Sequence, residues 1–342
     1  MSRINLAAAT TWITPAARQQ GAALPEYVMQ RLSITRRSAL SLLRKLETSQ
    51  WLQREGRGRK AVFKPGALKQ VVRTYALAGL QEDWPWARDF APFLEVPTNV
   101  ARMLQHAFAE LVNNAIDHSD GSAVTVSVRQ TPMHAQLLVS DDGCGLFDRI
   151  EQSFQIDDPL LAMFELSKGK LTSMPDAHSG HGLYFTARLA DFFNVHANDA
   201  AFQRNGADRA RWSPSKPMAR QGTSVYLAIS LETKRTLDSV LRSHSIEPAM
   251  YAFDSTVVPL RLLLGPQIGL ESRAQAKRAV SRLTSSFRRA EVDFSGINDI
   301  GHGFADELFR VFARQHPGLE LVPVGMAPRV SAMVSSVLPV AA

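Results

Sequence analysis

The chain has 342 residues, 45% of them hydrophobic, which is enough to bury at least two cores. No apolar run reaches the ~18–20 residues of a membrane helix, and Arg18 with its polar neighbours interrupts the N-terminus too early for a signal peptide. The expected setting is therefore the cytoplasm, with no membrane partner. One cysteine, Cys144, excludes an internal disulfide and a multi-cysteine metal site; it reads as a small residue between two glycines. The net charge of +7 is unevenly spread: residues 1–75 hold 14 Lys/Arg against 3 Asp/Glu, and the remainder holds 25 against 29. An N-terminal excess of +11 beside a body at −4 suggests a polyanion-binding module on a nearly neutral protein.

The first elements fit such a module. Leu24 to Leu32 reads as a short helix, Ser33-Ile-Thr35 as a turn with a capping residue, and Arg36 to Gln50 as a second helix with Ala39, Leu42, Leu43 and Leu46 at helical spacing. Trp51 to Glu55, Gly56-Arg-Gly58 and Arg59 to Phe63 then read as strand, glycine turn and strand. Helix, turn, helix and basic hairpin is the order of a winged helix-turn-helix, expected over residues 1–75. Arg36, Arg37 and Ser38 at the start of the second helix would carry base or phosphate contacts, and Arg57, Arg59 and Lys60 on the wing would reach backbone phosphates of double-stranded DNA. A basic module that binds a protein, or only spaces domains, is the alternative.

Residues 76–98 form a linker or docking arm, because Trp84-Pro-Trp86, Pro92 and Pro97 break any long helix. The central domain is expected over 99–232. Val100 to Ile116 is an amphipathic helix, and Ala123 to Arg129 and Ala135 to Ser140 are paired strands. Leu146 to Ser179 shows no strong periodicity and reads as a long functional loop, a lid. Gly180 to Phe193 follows as a helix and Gly222 to Ile229 as a core strand. A last domain, over 257–340, alternates helices (270–287, 304–314, 328–338) with strands (290–294, 319–324), as in a small α/β fold.

The chemistry-bearing residues lie in the central domain. Glu110 and Asn114 are four apart and share one face of the helix. The amide can ligate Mg²⁺ and the carboxylate can polarise water. Asp141, with Gly143 and Gly145, follows an apolar strand, and the glycines let backbone approach a nucleotide closely. These are the parts of an ATP site.

In this pattern the central domain resembles the GHKL superfamily of gyrase, Hsp90, MutL proteins and histidine kinases, whose Bergerat-type α/β sandwich holds ATP between helices and a lid. The resemblance implies that Asn114 ligates Mg²⁺, that Glu110 is the general base and that Asp117 supports the metal shell. It implies that Asp141 accepts a hydrogen bond from the adenine amino group. Gly180, His181, Gly182 and Leu183 resemble the third box, whose backbone N–H groups at a helix N-terminus would cradle phosphates. Thr223 in Gly222-Thr223 resembles the last box and would bond near the adenine. Gly182 is followed by Leu183-Tyr184-Phe185 rather than the histidine-kinase Gly-Leu, and no dimerising helix pair with a phosphoacceptor histidine precedes Asn99. A conventional autophosphorylating histidine kinase is not expected. The P-loop motif is absent.

Val292 to Arg310 is similar to a STAS-like domain of unknown function that follows GHKL domains in bacterial proteins. In the STAS antagonists of anti-sigma factors a serine at a helix start is phosphorylated; the matching stretch here is Gly301-His302-Gly303, with Ser295 upstream. The expected architecture is thus multidomain: winged helix, GHKL sandwich, STAS-like domain. Three functions compete: an ATP-responsive DNA-binding regulator with a protein partner on the STAS-like domain, an anti-sigma-type serine/threonine kinase acting on a separate STAS-like protein, and a nucleotide-dependent interaction protein without turnover. A second copy of the chain is a further candidate partner.

Overall fold

Leu42, Leu43 and Leu46, the leucines at helical spacing, lie at the centre of the N-terminal core in the computed structural model. The structure describes residues 5–58, 61–172, 180–206, 211–247, 249, 251–264 and 269–338. The chain order begins α1 (Leu6–Gln20), α2 (Leu24–Leu32), α3 (Arg36–Thr48), β1 (Leu52–Glu55), β2 (Val62–Pro65), β3 (Lys69–Ala76), α4 (Asp83–Pro85), α5 (Thr98–His118), β4 (Ala123–Gln130) and β5 (His134–Asp141). It continues with α6 (Leu146–Phe154), α7 (Pro159–Ser167), α8 (Gly182–Leu189), β6 (Phe192–Ala197), β7 (Ala200–Asn205), β8 (Arg211–Pro214), β9 (Thr223–Ser230) and α9 (Leu237–Arg242). The last stretch is β10 (Ser255–Pro259), α10 (Arg273–Ala279), β11 (Arg289–Asp293), α11 (His302–Asp306), α12 (Ala313–Gln315), β12 (Glu320–Val324) and α13 (Pro328–Val337). Two compact units contain these elements, Met1–Gly143 with Ser224–Lys234, and Cys144–Thr223 with Arg235–Ala342.

In the first unit, Ile13 of α1, Leu24 and Val28 of α2, and Ala39, Leu42, Leu43 and Leu46 of α3 are fully or almost fully buried together. Thr35 caps α3: its hydroxyl accepts the Ser38 N–H at 3.3 Å, which satisfies one of the otherwise unpaired donors of the first turn. Helix α1 was not expected, because its alanine- and threonine-rich sequence has little polar contrast and carries Pro15 inside the helix. Strands β1 and β2 pair antiparallel, Leu52 opposite Pro65 and Glu55 opposite Val62. Arg59 and Lys60, expected on this hairpin, lie outside the described residues.

A strand lies across the boundary expected at residue 75. Strand β3 pairs antiparallel with β4 along its whole length, from Lys69 opposite Gln130 to Ala76 opposite Ala123. A strand needs a partner for its backbone donors, and β4 supplies it. The stretch expected as a linker, 76–98, is helical in part: Trp86 and Phe90 are buried and meet Phe108 with ring centroids 5.4 and 5.5 Å away. Two of its aromatics thus pack on α5. Helix α5 buries Val100, Met103, Leu104, Ala107, Phe108, Leu111, Val112 and Ala115, a stripe with the three-and-four spacing of an amphipathic helix. Each large member of that stripe is worth about 1.5–3 kcal/mol of burial. Strand β5 pairs with β4 on one side and with β9 on the other, antiparallel in both cases.

In the second unit, β6, β7 and β8 pair antiparallel in that order. The segment expected as a featureless loop holds two helices. Gly145 starts α6, and Asp158 caps α7 by accepting the Leu160 N–H at 2.8 Å, with Pro159 in the first turn. The Asp-Pro pair is a helix-start signal in plain view, although weak periodicity around it hides the helix. Residues 173–179 of the expected lid lie outside the described residues. Strands β10, β11 and β12 form a parallel sheet in that order. The helix expected over 270–287 is shorter: α10 ends at Ala279, Arg282 takes a left-handed φ of 62°, and Leu270 bridges to Ile300.

Polar contacts tie α7 to the turn after α10. The Lys168 ammonium, buried to 1% exposure, donates to Glu165 at 2.7 Å and to the Ser281 carbonyl at 3.0 Å. Arg282 donates to the other Glu165 oxygen at 2.8 Å, and Lys170 to the Ser286 carbonyl at 2.6 Å. Burial pulls Lys168 down to about 8, against the opposing attraction of Glu165.

Two histidines in this unit make its stability acid-sensitive. Burial, then the Lys170 charge, pulls His181 from its ordinary 6.5 to about 4. Burial, then the charges of Arg188 and Arg204, pulls His244 to about 3. The unfolded chain binds these protons more readily, so the stability tied to neutral histidines is full above about pH 6.5 and is lost as pH falls towards 4 and below. The melting midpoint is expected to fall between pH 6.5 and 4, and His244→Gln to fall less steeply. Parallel slopes for the two proteins in thermal melts would refute the assignment to His244.

Candidate functional site

Helix α5 presents its polar edge opposite the buried stripe. Glu110 and Asn114 are partly buried there, and Asp117 one turn further on is exposed. This follows from the spacing alone: residues at i, i+4 and i+7 line one face, and Leu111, Val112 and Ala115 take the other into the core. His106, one turn before Glu110, has its Nδ1 4.0 Å from the Glu110 Oε1. It was not among the residues expected at the site, although its His-x-x-x-Glu spacing is visible in the sequence. Burial lowers the His106 pKa, partly countered by the Glu110 charge, and no partner meets its buried Nε2 among the described residues. Burial thus favours the neutral imidazole beside Glu110.

Helix α5 packs on β5, the strand that ends in Asp141. Asp141 is buried at 6% exposure, and its Oδ1 accepts the Gly143 N–H at 3.0 Å. Gly143 tolerates no side chain, since a Cβ there would stand 2.0 Å from the Ser119 carbonyl oxygen. Asp142 has a separate task. It accepts from the Ser122 N–H at 2.8 Å, the Ser122 hydroxyl at 2.6 Å and the Ala123 N–H at 2.9 Å, and these bonds hold its carboxyl at about 2. It fastens the turn after α5 to the end of β5. Ser140 and Ser224, opposite each other on β5 and β9, share a buried hydroxyl–hydroxyl hydrogen bond.

The remaining candidate boxes belong to the second unit. Gly145 has a φ of 93°, and a Cβ would come within 2.5 Å of the Asn198 amide nitrogen. Asn198, in the tight turn between β6 and β7, donates to the Cys144 carbonyl and the Asp148 carboxylate, both at 2.8 Å, and accepts the Gly222 N–H at 3.0 Å. One amide thus joins the start of α6 to the residue before Thr223. No sequence motif marked it. Gly180 has a φ of 66°, and its carbonyl accepts the Lys170 N–H at 3.0 Å. Gly182 and Leu183 open α8, whose first N–H groups have no intrahelical partner. The His181 ring lies edge-on to Phe253, with centroids 4.7 Å apart, so its side chain is engaged in an aromatic cluster and only its backbone remains for a ligand.

Residues 99–233 match the family model described as histidine kinase-, DNA gyrase B-, and HSP90-like ATPase, and residues 277–330 match that of a STAS-like domain of unknown function (DUF4325). The chain carries a GHKL ATPase domain followed by a STAS-like domain. No curated protein matches the chain. The GHKL match begins at Asn99, on α5, and ends just beyond β9. Among the described residues, no cluster of three or more His, Cys, Asp or Glu could by itself hold a metal ion, and no helix is long and apolar enough to cross a membrane. The amide oxygen of Asn114, with the Asp117 carboxylate on the same helix edge, suits Mg²⁺, a hard cation that keeps most of its waters and takes few protein ligands beside phosphate oxygens.

Proposed function

We propose that the GHKL domain binds Mg-ATP and turns it over, and that the protein is a nucleotide-controlled regulator. The observation that carries this reading is the pairing of Glu110 with Asn114 on the polar edge of α5, above a strand that ends in the buried Asp141. Asn114 would contribute an amide oxygen to Mg²⁺, with Asp117 supporting the shell. The ion supplies neutralisation of phosphate charge. Glu110 Oε would take the proton of the attacking water or protein hydroxyl. Asp141 would accept from the adenine amino group, and Thr223 would bond near the adenine. Gly143 and Gly145 allow close backbone approach, and the N–H groups of Gly180, His181, Gly182 and Leu183 would hold phosphate oxygens.

Incubation with γ-labelled ATP decides the reaction class. Released phosphate means an ATPase; label on a serine or threonine of a STAS-like protein means an anti-sigma-type kinase. Bound nucleotide with neither product would leave an interaction protein and overturn the proposed turnover.

A DNA-binding role for the N-terminal module has its own support. The first 75 residues carry a net +11, and Arg37 and Arg57 are exposed beside the capped start of α3 and on the β1–β2 connection. A helix pair followed by an antiparallel hairpin is the element order of a winged helix. Arg36 pairs with Glu26 at 2.6 Å, but an exposed pair of this kind is worth about 1 kcal/mol at most, so a phosphate can displace it. Replacing Arg36, Arg37 and Arg57 by Gln is expected to flatten the salt dependence of duplex binding, its logarithmic slope falling by about 0.9 for each phosphate left without a cation. Fluorescence anisotropy over a salt series measures it; no duplex binding by the unaltered protein at low salt would sink the reading. The STAS-like domain is the proposed docking surface for a protein partner, and the cytoplasm the proposed compartment.

A further inference from the structure

The second unit contains a cavity of about 570 Å³ that none of the nucleotide boxes lines. Its floor is the end of the parallel sheet. Pro259, Asp293 and Val324 are the last residues of β10, β11 and β12, and all three line it. In open sheets of parallel strands, ligands bind in the crevice beyond the carboxyl ends of the strands. Gly325, just past β12, has a φ of 66°, and a Cβ there would come within 2.3 Å of the Ser295 hydroxyl, so backbone alone forms this part of the floor.

The walls are cationic. Arg188, Arg204, Arg235 and Arg261 line the cavity, against Glu291 and Asp293. Asp293 already accepts the Ser295 N–H at 2.8 Å. Arg235 pairs with Asp191. Arg188 and Arg204 each give one terminal nitrogen to a main-chain carbonyl, Tyr184 at 3.2 Å and Ala187 at 2.7 Å, and no carboxylate among the described residues pairs with either. Burial pulls both below the ordinary guanidinium range, Arg204 to about 9 with the Arg188 charge adding to the effect. His244 is neutral at physiological pH and adds no charge. Asp191, already paired with Arg235, attracts Arg204 as well, but two partly buried guanidinium groups held near one another with no carboxylate hydrogen-bonded to either are costly unless an anion compensates them. Trp212, Val240 and Val257 supply apolar surface on the remaining walls.

We propose that this cavity is a second ligand site, for a small organic phosphate of mononucleotide size, its phosphate held by Arg188, Arg204 and Arg261 and its ring body against Trp212. The volume is in the range of small-molecule sites. Planar guanidinium forks match phosphate oxygens two at a time. The residues come from both the ATPase match and the STAS-like match, so occupancy would couple the two. The site is independent of the ATP reading.

Inorganic pyrophosphate and guanosine 5′-monophosphate, titrated calorimetrically into the full chain in magnesium-free buffer, test this. Both are expected to bind, with affinity lowered tenfold or more in Arg204→Met and in Arg261→Glu. Arg261 is exposed, so its replacement leaves the fold intact. Asp141→Asn, which alters only the proposed adenine pocket, is expected to leave both affinities unchanged. No binding of either probe, or binding weakened by Asp141→Asn and not by Arg261→Glu, would overturn the proposal.

Discussion

Asn114→Ala is expected to lose magnesium-dependent ATP binding by about 100-fold, the equivalent of roughly 2.8 kcal/mol. The substitution removes an amide oxygen and leaves the helix intact, because Ala has the higher helix propensity and the neighbouring core residues Leu111 and Ala115 stay in place. The cost should therefore fall on the metal and not on the fold. Two titrations decide it: ATP with Mg²⁺ and ATP with EDTA. The variant and the unaltered protein should converge when the metal is withdrawn. An ATP-induced rise in melting temperature that is the same in both proteins, with Mg²⁺ present, would remove Asn114 from the metal site.

Glu110→Gln should behave differently. It preserves shape and hydrogen-bonding reach but removes the group that can take a proton. Turnover is expected to fall by about 10²–10⁴-fold while Mg-ATP affinity changes little. The pH profile adds a second readout. His106 lies one turn away and is held neutral by burial, so turnover supported by Glu110 should persist as pH rises through 7 rather than tracking a histidine cation. Unchanged phosphate release from Glu110→Gln, or a parallel loss of binding, would show that the carboxylate is not the base.

The proposed nucleotide site could be drawn from the sequence because its candidate residues lie close together in the chain. Glu110, Asn114 and Asp117 stand at helical spacing, and a helix of 21 residues with a clean apolar stripe leaves one polar edge on which they can lie. Asp141 and its glycines follow a strand whose alternation is plain. Thr35 announced the start of α3 in the same way. Where the apolar pattern was faint or short, expectation and structure part. The alanine-rich α1 and the helix α7 carry little polar contrast, α6 is amphipathic but short and follows a glycine turn, and the expected helix over 270–287 breaks at a residue with left-handed backbone.

Amino-acid order alone determined the charge asymmetry, the candidate nucleotide boxes and the STAS-like stretch, because each depends on residue type at short separation. Only the tertiary structure decided that β3 joins the sheet of β4, that Asn198 fastens Gly145 to Gly222, and that four arginines far apart in the chain surround one cavity at the end of a parallel sheet. Those features depend on strand pairing and on side chains brought together across tens to about a hundred residues. No local periodicity encodes such meetings; burial and the need to satisfy backbone donors select them.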